Sequence, residues 1–209
     1  MKFAIIGSGN VGTAIARAVT GVGHNAVVAS RTQDSLDAVA DTVSVATTTS
    51  DQDAVNGADV VVLAVPFPVL QDVATELRDA LADKIVIDVT NPLAPDLSGL
   101  AIDSVSAAEL VARAAPQARV VKAFNTVFAT NQAVAEVDGV QLDGFVAGDD
   151  DDAKQTVSDL LTEIGFRPID VGPLSAARHL EGMAYLNIAL NARNGWSWRS
   201  GWKLVGPLS

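Results

Sequence analysis

Gly7-Ser8-Gly9-Asn10-Val11-Gly12 sets three glycines at the spacing of a phosphate cradle. In such a turn the first glycine permits a sharp reversal and the second lets backbone approach a pyrophosphate. The third lets a helix lie close on a strand. The flanks suit that use, because Lys2–Ile6 is a short apolar run and the residues after Gly9 repeat at helical period. A helix opening here aims free N–H groups and the positive end of its dipole at phosphate oxygens. The plainer alternative is a tight strand-to-helix turn with no ligand.

Ser30-Arg31-Thr32 follows roughly 20 residues later, where such folds place the residue that reads the adenosine ribose. A carboxylate there would accept from a free 2′-hydroxyl and repel a 2′-phosphate. Two hydroxyls and a guanidinium fork favour the phosphate instead. This corner reads NADP(H), with stacking of Arg31 on adenine as a further use and an exposed turn arginine as the alternative.

Three later segments are candidates for the reacting end. Val65 and Pro66 close one apolar run, Asn91 closes the next in Thr90-Asn91-Pro92, and Asn125 follows in Phe124-Asn125-Thr126. In parallel α/β sheets the ligand crosses the carboxyl ends of the strands, so these groups are placed to touch a nicotinamide. Turn chemistry is the competing reading for each of them. Small residues at the same edge, Ala64, Ala147 and Gly148, leave room for a second ring. Lys122 falls within a strand and reads as a sheet-end charge. The four acids Asp149 to Asp152 match a helix start better than a metal cluster, and no metal is expected.

Those residues need a scaffold, and strand-like runs alternate with helical ones along the whole chain. Strands are predicted over Lys2–Ile6, Asn25–Ala29, Val43–Ala46, Asp59–Val65, Lys84–Val89, Arg119–Phe124, Gly144–Ala147 and Arg167–Asp170. Helices are predicted over Asn10–Val22, Pro68–Leu81, Ser106–Ala114, Asp150–Ile164 and Ser175–Asn194. The pattern is that of an α/β fold: a Rossmann-type, doubly wound, mostly parallel sheet with a small C-terminal helical extension. Residues 1–209 read as a single unit, with 174–209 forming pocket or dimer contacts. His179, Met183, Asn187 and Asn191 recur every four residues, either lining an acceptor pocket or forming a core or dimer seam.

With 49% apolar residues, the 209-residue chain has ample material for a core. A net charge of −11 argues against nucleic acid and anionic membrane as partners. No run nears the roughly 18 apolar residues of a membrane span, so a cytoplasmic protein is expected. The absence of cysteine removes disulfides and thiolate nucleophiles. The acids are mostly Asp and Lys is scarce, as in proteins adapted to high salt; a biased genome is the alternative.

The segments GSGNVG, VVASR, VVLAVPF, KIVIDVTNPL, VVKAFNTV, VAGDDDDAK and VGPLSAARHLE resemble the NADP-dependent reductases that use the deazaflavin coenzyme F420. KAFNT is also similar to the nucleotide domain of the STEAP-type metalloreductases. The resemblance implies a Rossmann domain with a small C-terminal part, a homodimer, and NADP contacts at Ser8, Gly9, Asn10, Val11, Ser30 and Arg31. The family often places a further basic residue just after this arginine; here Ser35 stands nearby.

Tyr185 is followed four residues on by Ala189, so the Tyr-x-x-x-Lys pair of short-chain dehydrogenases is absent. Few residues read as an acid or base with an orienting partner, and no catalytic side chain is assigned. That scarcity suits hydride transfer by positioning, between NADP(H) and a deazaflavin (coenzyme F420) or flavin-like ring. The alternatives are a flavin, quinone or ferric reductase of the same fold, and a dinucleotide sensor without turnover.

Overall fold

Each apolar run sends alternate side chains to opposite faces, and that alternation builds two cores. The computed structural model describes residues 1–102 and 104–206. Its elements are β1 (Lys2–Ile6), α1 (Asn10–Gly21), β2 (Asn25–Ala29), α2 (Gln33–Ala40), β3 (Ala46–Thr48), α3 (Asp51–Asn56), β4 (Val60–Leu63), α4 (Phe67–Glu76) and β5 (Ile85–Asp88). Then come α5 (Ala107–Ala114), β6 (Arg119–Lys122), β7 (Glu136–Val137), β8 (Val140–Gln141), β9 (Asp143–Gly148), α6 (Asp151–Ile164), β10 (Arg167–Asp170) and α7 (Ala177–Asn194). Phe3, Ile5, Val62, Ile87 and Val121 pack on one face with residues of α1, α2 and α6. Ala4, Ile6, Leu63, Val86 and Val120 pack on the other with α3, α4, α5 and α7.

Eight strands form one sheet in the order β10-β9-β6-β5-β4-β1-β2-β3, and β7 pairs with β8 as a separate hairpin. Strands β1 to β6 are parallel, so their carboxyl ends share one edge. The α/β, mostly parallel, doubly wound architecture expected from the sequence is therefore present.

Strand β9 is the exception, running antiparallel to β6 with Lys122 opposite Ala147 and Val121 opposite Gly148. Its chain leaves the carboxyl edge where a parallel strand would arrive. Ala147 and Gly148, expected to border a ligand, are both buried. Ala147 is fully buried level with Lys122 at the end of β6, and Gly148 lies beneath α6, where an added Cβ would stand 3.0 Å from Cγ of Lys154.

Helices α2 and α3 and the β7–β8 hairpin were absent from the sequence pattern. Helix α2 buries only Leu36 and Val39, and α3 only Ala54 and Val55, too few for a periodic signal. The third strand forms over Ala46–Thr48, not Val43–Ala46, because Thr47 and Thr48 pair with Val28 and Ala29 while Val43 turns into the core. No helix among the described residues is long and apolar enough to cross a membrane.

After α7 the chain folds back over the start of β9; residues 207–209 of the predicted C-terminal segment lie outside the described residues. Asp143, whose side chain is buried, anchors this return. It accepts two bonds from Arg167, each 2.7 Å, one from the N–H of Leu204 at 2.6 Å, and faces Lys203 at 3.2 Å. Burial pushes the Asp143 carboxyl up, but the bonds from Arg167, Leu204 and Lys203 outweigh it and hold the group below the usual carboxylate range. Stability from a lowered carboxylate is present above its unfolded value, near 4, and lost as pH falls through the folded value. Asp143→Asn should therefore cost about 2 kcal/mol at pH 7, less than a fully buried pair because its partners are partly exposed. Urea unfolding of wild type and variant should converge as the pH is lowered toward 3.

Candidate functional site

Three backbone segments meet at the end of β1. Gly7 has φ +118°, and a Cβ there would lie 2.3 Å from the carbonyl oxygen of Ala64. A Cβ on Gly12 would lie 2.0 Å from the oxygen of Gly7. Both glycines are required by packing alone. Gly9 differs: nothing lies within 4 Å of its Cβ position, so what it leaves open is space at the mouth of α1. No side chain caps α1 and no acid stands in its first turn, so its leading N–H groups and dipole face outward.

These N–H groups open onto a cleft of ≈ 610 Å³ along the carboxyl edge of the sheet. Of the predicted site residues, Gly7, Ser8, Gly9, Asn10, Val11, Ser30, Arg31, Thr32, Val65, Pro66 and Asn91 line it. Gly12 packs behind, closing helix onto strand. Ser8 donates to Ser30 across 2.8 Å, tying the glycine turn to the end of β2, and Thr32 donates to Ser35 at 2.7 Å. The Arg31 guanidinium makes no hydrogen bond or ion pair among the described residues. It is an exposed cation lining the cleft.

At the far end the cleft adjoins a chamber of ≈ 140 Å³ that shares Val11, Val89 and Asn91 with it. Asn125 is on its wall, with Ala184, Asn187 and Ile188 from α7. The amide orientations follow from hydrogen-bond logic. The backbone carbonyl of Asn125 can only accept, so Asn91 must present its NH₂ to it, at 3.0 Å. The Asn91 oxygen therefore accepts from the Asn125 NH₂ at 2.9 Å. That leaves Oδ1 of Asn125 buried and without a partner. A buried acceptor with no donor is costly.

The loop carrying Asn125 is held in strain. Phe124 has φ +63°, unusual for a bulky residue, and buried Gln132 donates to the carbonyls of Phe124 and Val127, both at 2.9 Å. The loop carrying Asn91 is set from below. Fully buried Lys122 donates to Asp88 at 2.8 Å, to Glu181 of α7 at 2.9 Å and to the carbonyl of Thr90, while Asp88 also accepts from the N–H of Thr90 at 2.9 Å. Glu181 further accepts from the first N–H of α5 at 2.9 Å. Burial pushes the Glu181 carboxyl up, an effect that Lys122 opposes and Asp88 reinforces. Lys122, a charge at the end of β6 as read from the sequence, is buried there as the tie between two strands, a site loop and the last helix.

The sequence reading passed over Asp88, Glu181, Gln132 and Asp51, the last of which also lines the cleft. Charged residues inside VVKAF and IVID were the available signal, since a strand buried on both faces tolerates them only as a pair. The acids after Gly148 serve the fold: Asp149 accepts from the N–H of Leu174 and Asp150 caps α6 through the N–H of Ala153. Asn187 and Asn191 are buried and bonded to Ser200, whereas His179 is exposed.

Strand order, glycine turn and arginine corner define a dinucleotide-binding Rossmann protein. The family described as NADP oxidoreductase, coenzyme F420-dependent, matches residues 2–92. The F420-dependent NADP reductase of Methanothermobacter thermautotrophicus is 35% identical over 93% of this chain and 90% of its own. The rat metalloreductase STEAP3 is 34% identical over 87% of this chain, which spans only 36% of that protein. A crystal structure from Arthrobacter sp. FB24, provisionally assigned as an F420-dependent NADP reductase, superposes with a TM-score of 0.87 at 27% identity, covering 98% of this chain and 100% of the other. The chain belongs to the F420-dependent NADP reductase family and is an oxidoreductase.

The glycine contacts separate packing from ligand space. Gly12→Ala should lower stability by about 1–3 kcal/mol through the clash with Gly7. Gly9→Ala should cost about 1 kcal/mol or less. Chemical unfolding of the two variants side by side measures the difference.

Proposed function

We propose that the protein passes a hydride between NADP(H) and the deazaflavin coenzyme F420. The observation that carries this is the unpartnered Arg31 beside the hydroxyl pair of Ser8 and Ser30, at one end of a cleft whose other end adjoins the chamber walled by Asn125. The space over Gly9 and the donor set of this corner fit a dinucleotide with a 2′-phosphate. In this reading Gly7, Ser8, Gly9, Asn10 and Val11 hold the pyrophosphate and Gly12 keeps the helix in reach of it. Ser30, Arg31 and Thr32 hold the 2′-phosphate. Val65 and Pro66 shape the floor toward the reacting end, and Asn91 orients Asn125 to accept an N–H from a carboxamide.

When bound, the nicotinamide and the deazaflavin supply the hydride donor and acceptor carbons. The chain aligns and encloses them, and proximity can furnish a large share of the rate. We take residues 1–209 as one working unit in which α7 walls the acceptor side. Leu186, Leu190 and Trp196, exposed on and just after α7, support a homodimer through that face. The charge of −11 disfavours nucleic acid, and the two soluble cofactors of this reading go with a cytoplasmic setting.

NADPH oxidation should proceed with the deazaflavin coenzyme and be much slower with FAD, quinone or ferric complexes. Turnover only with flavin or ferric iron would favour the reading that the STEAP3 similarity suggests, and binding without turnover would make it a sensor. Arg31→Ala should weaken NADPH binding roughly tenfold or more while changing NADH less than about threefold. Equal losses in a fluorescence titration would contradict the phosphate assignment.

A further inference from the structure

The corner that receives Arg31 also holds a carboxylate. Strands β2 and β3 lie side by side, with Ala29 opposite Thr48 and the N–H of Ser30 bonded to the carbonyl of Thr48 at 3.2 Å. Arg31 and Asp51 leave the carboxyl ends of these two strands and line the same cleft. They are its only charged lining residues among those described. The position of Asp51 is built in: Ser50 caps α3, accepting from the N–H of Asp53 at 3.1 Å, and its own N–H bonds Thr48 at 3.1 Å. Asp51 is therefore held as the first helical residue.

We propose that Asp51 is a specificity-determining residue that narrows the preference for NADP(H) over NAD(H). A 2′-phosphate brings close to two negative charges near neutral pH. Arg31 balances about one of them, and Asp51 adds another of the same sign as the ligand. A free 2′-hydroxyl meets the opposite situation, because a carboxylate accepts its hydrogen bond. With Ser35 close by in place of a second cation, the corner carries one attraction and one repulsion. The environment of Asp51 shows the same conflict. Burial pushes its carboxyl up and Glu76 on α4 adds to that push, while Arg31 opposes it. An arriving phosphate makes the charged form of Asp51 less favourable still.

The inference rests on the NADP reading above, and the test keeps the two apart. Titration of the full-length protein with NADPH and with NADH is made for wild type, D51N, R31A and the double variant. D51N should tighten NADPH about five- to tenfold and leave NADH unchanged or a few-fold weaker, raising the selectivity ratio. The gain should shrink in molar salt, since the corner is open to solvent. A purely structural role at the start of α3 would shift both cofactors by one factor, and that result overturns the proposal. So does weaker NADPH binding. If D51N destabilises α3, as its unfolding midpoint would show, D51S reads the same ratio. Failure of R31A to reduce NADPH preference would instead remove the 2′-phosphate assignment itself.

Discussion

Close backbone contact at the end of β1 is the constraint on which the rest of the site depends. The oxygen of Gly7 sits under Gly12, and the oxygen of Ala64 sits over Gly7, with no room for a Cβ at either glycine. This contact fixes how near α1 lies to β1 and β4, and so where its uncapped amino terminus points. The cleft is the direct consequence. Its floor is the edge of the parallel strands, one end is the corner after β2, and the other runs toward the loops after β5 and β6.

A second anchor governs the reacting end. Lys122 joins Asp88, the carbonyl of Thr90 and Glu181, so one buried ammonium ties two strands, a site loop and α7 together. Such a group is expensive to bury and is tolerated only with every partner present. Its effect is positional: Thr90 is set, Asn91 follows, and Asn91 orients the amide of Asn125. Helix α7 walls the chamber through Ala184, Asn187 and Ile188.

Legibility in the sequence divides along physical lines. Strands β1 and β2 were readable to the residue, because apolar runs bounded by breakers identify strands packed on both faces. The glycine turn was equally plain, since its spacing encodes backbone contacts that tolerate no side chain. The direction of β9 was not readable: an antiparallel strand carries the same apolar run as a parallel one. Asp51 was hidden by distance along the chain, twenty residues past Arg31, and only the pairing of β2 with β3 brings the two together. The same holds for Lys122, Asp88 and Glu181, each an oddity alone and coherent only as a group. Local chemistry was visible; partnerships across elements were not.

The central claim is that this scaffold works by alignment, with the hydride passing directly from one ring to the other and no proton exchanged with water in the transferred position. The direct measurement is a single turnover of NADPH, deuterated at the transferable ring position, with the oxidised deazaflavin coenzyme in ordinary water, read by mass spectrometry and proton NMR of the reduced product. One deuterium should be retained in the deazaflavin, transferred to a single face. A product carrying solvent hydrogen at that carbon, or equal labelling of both faces, would contradict it.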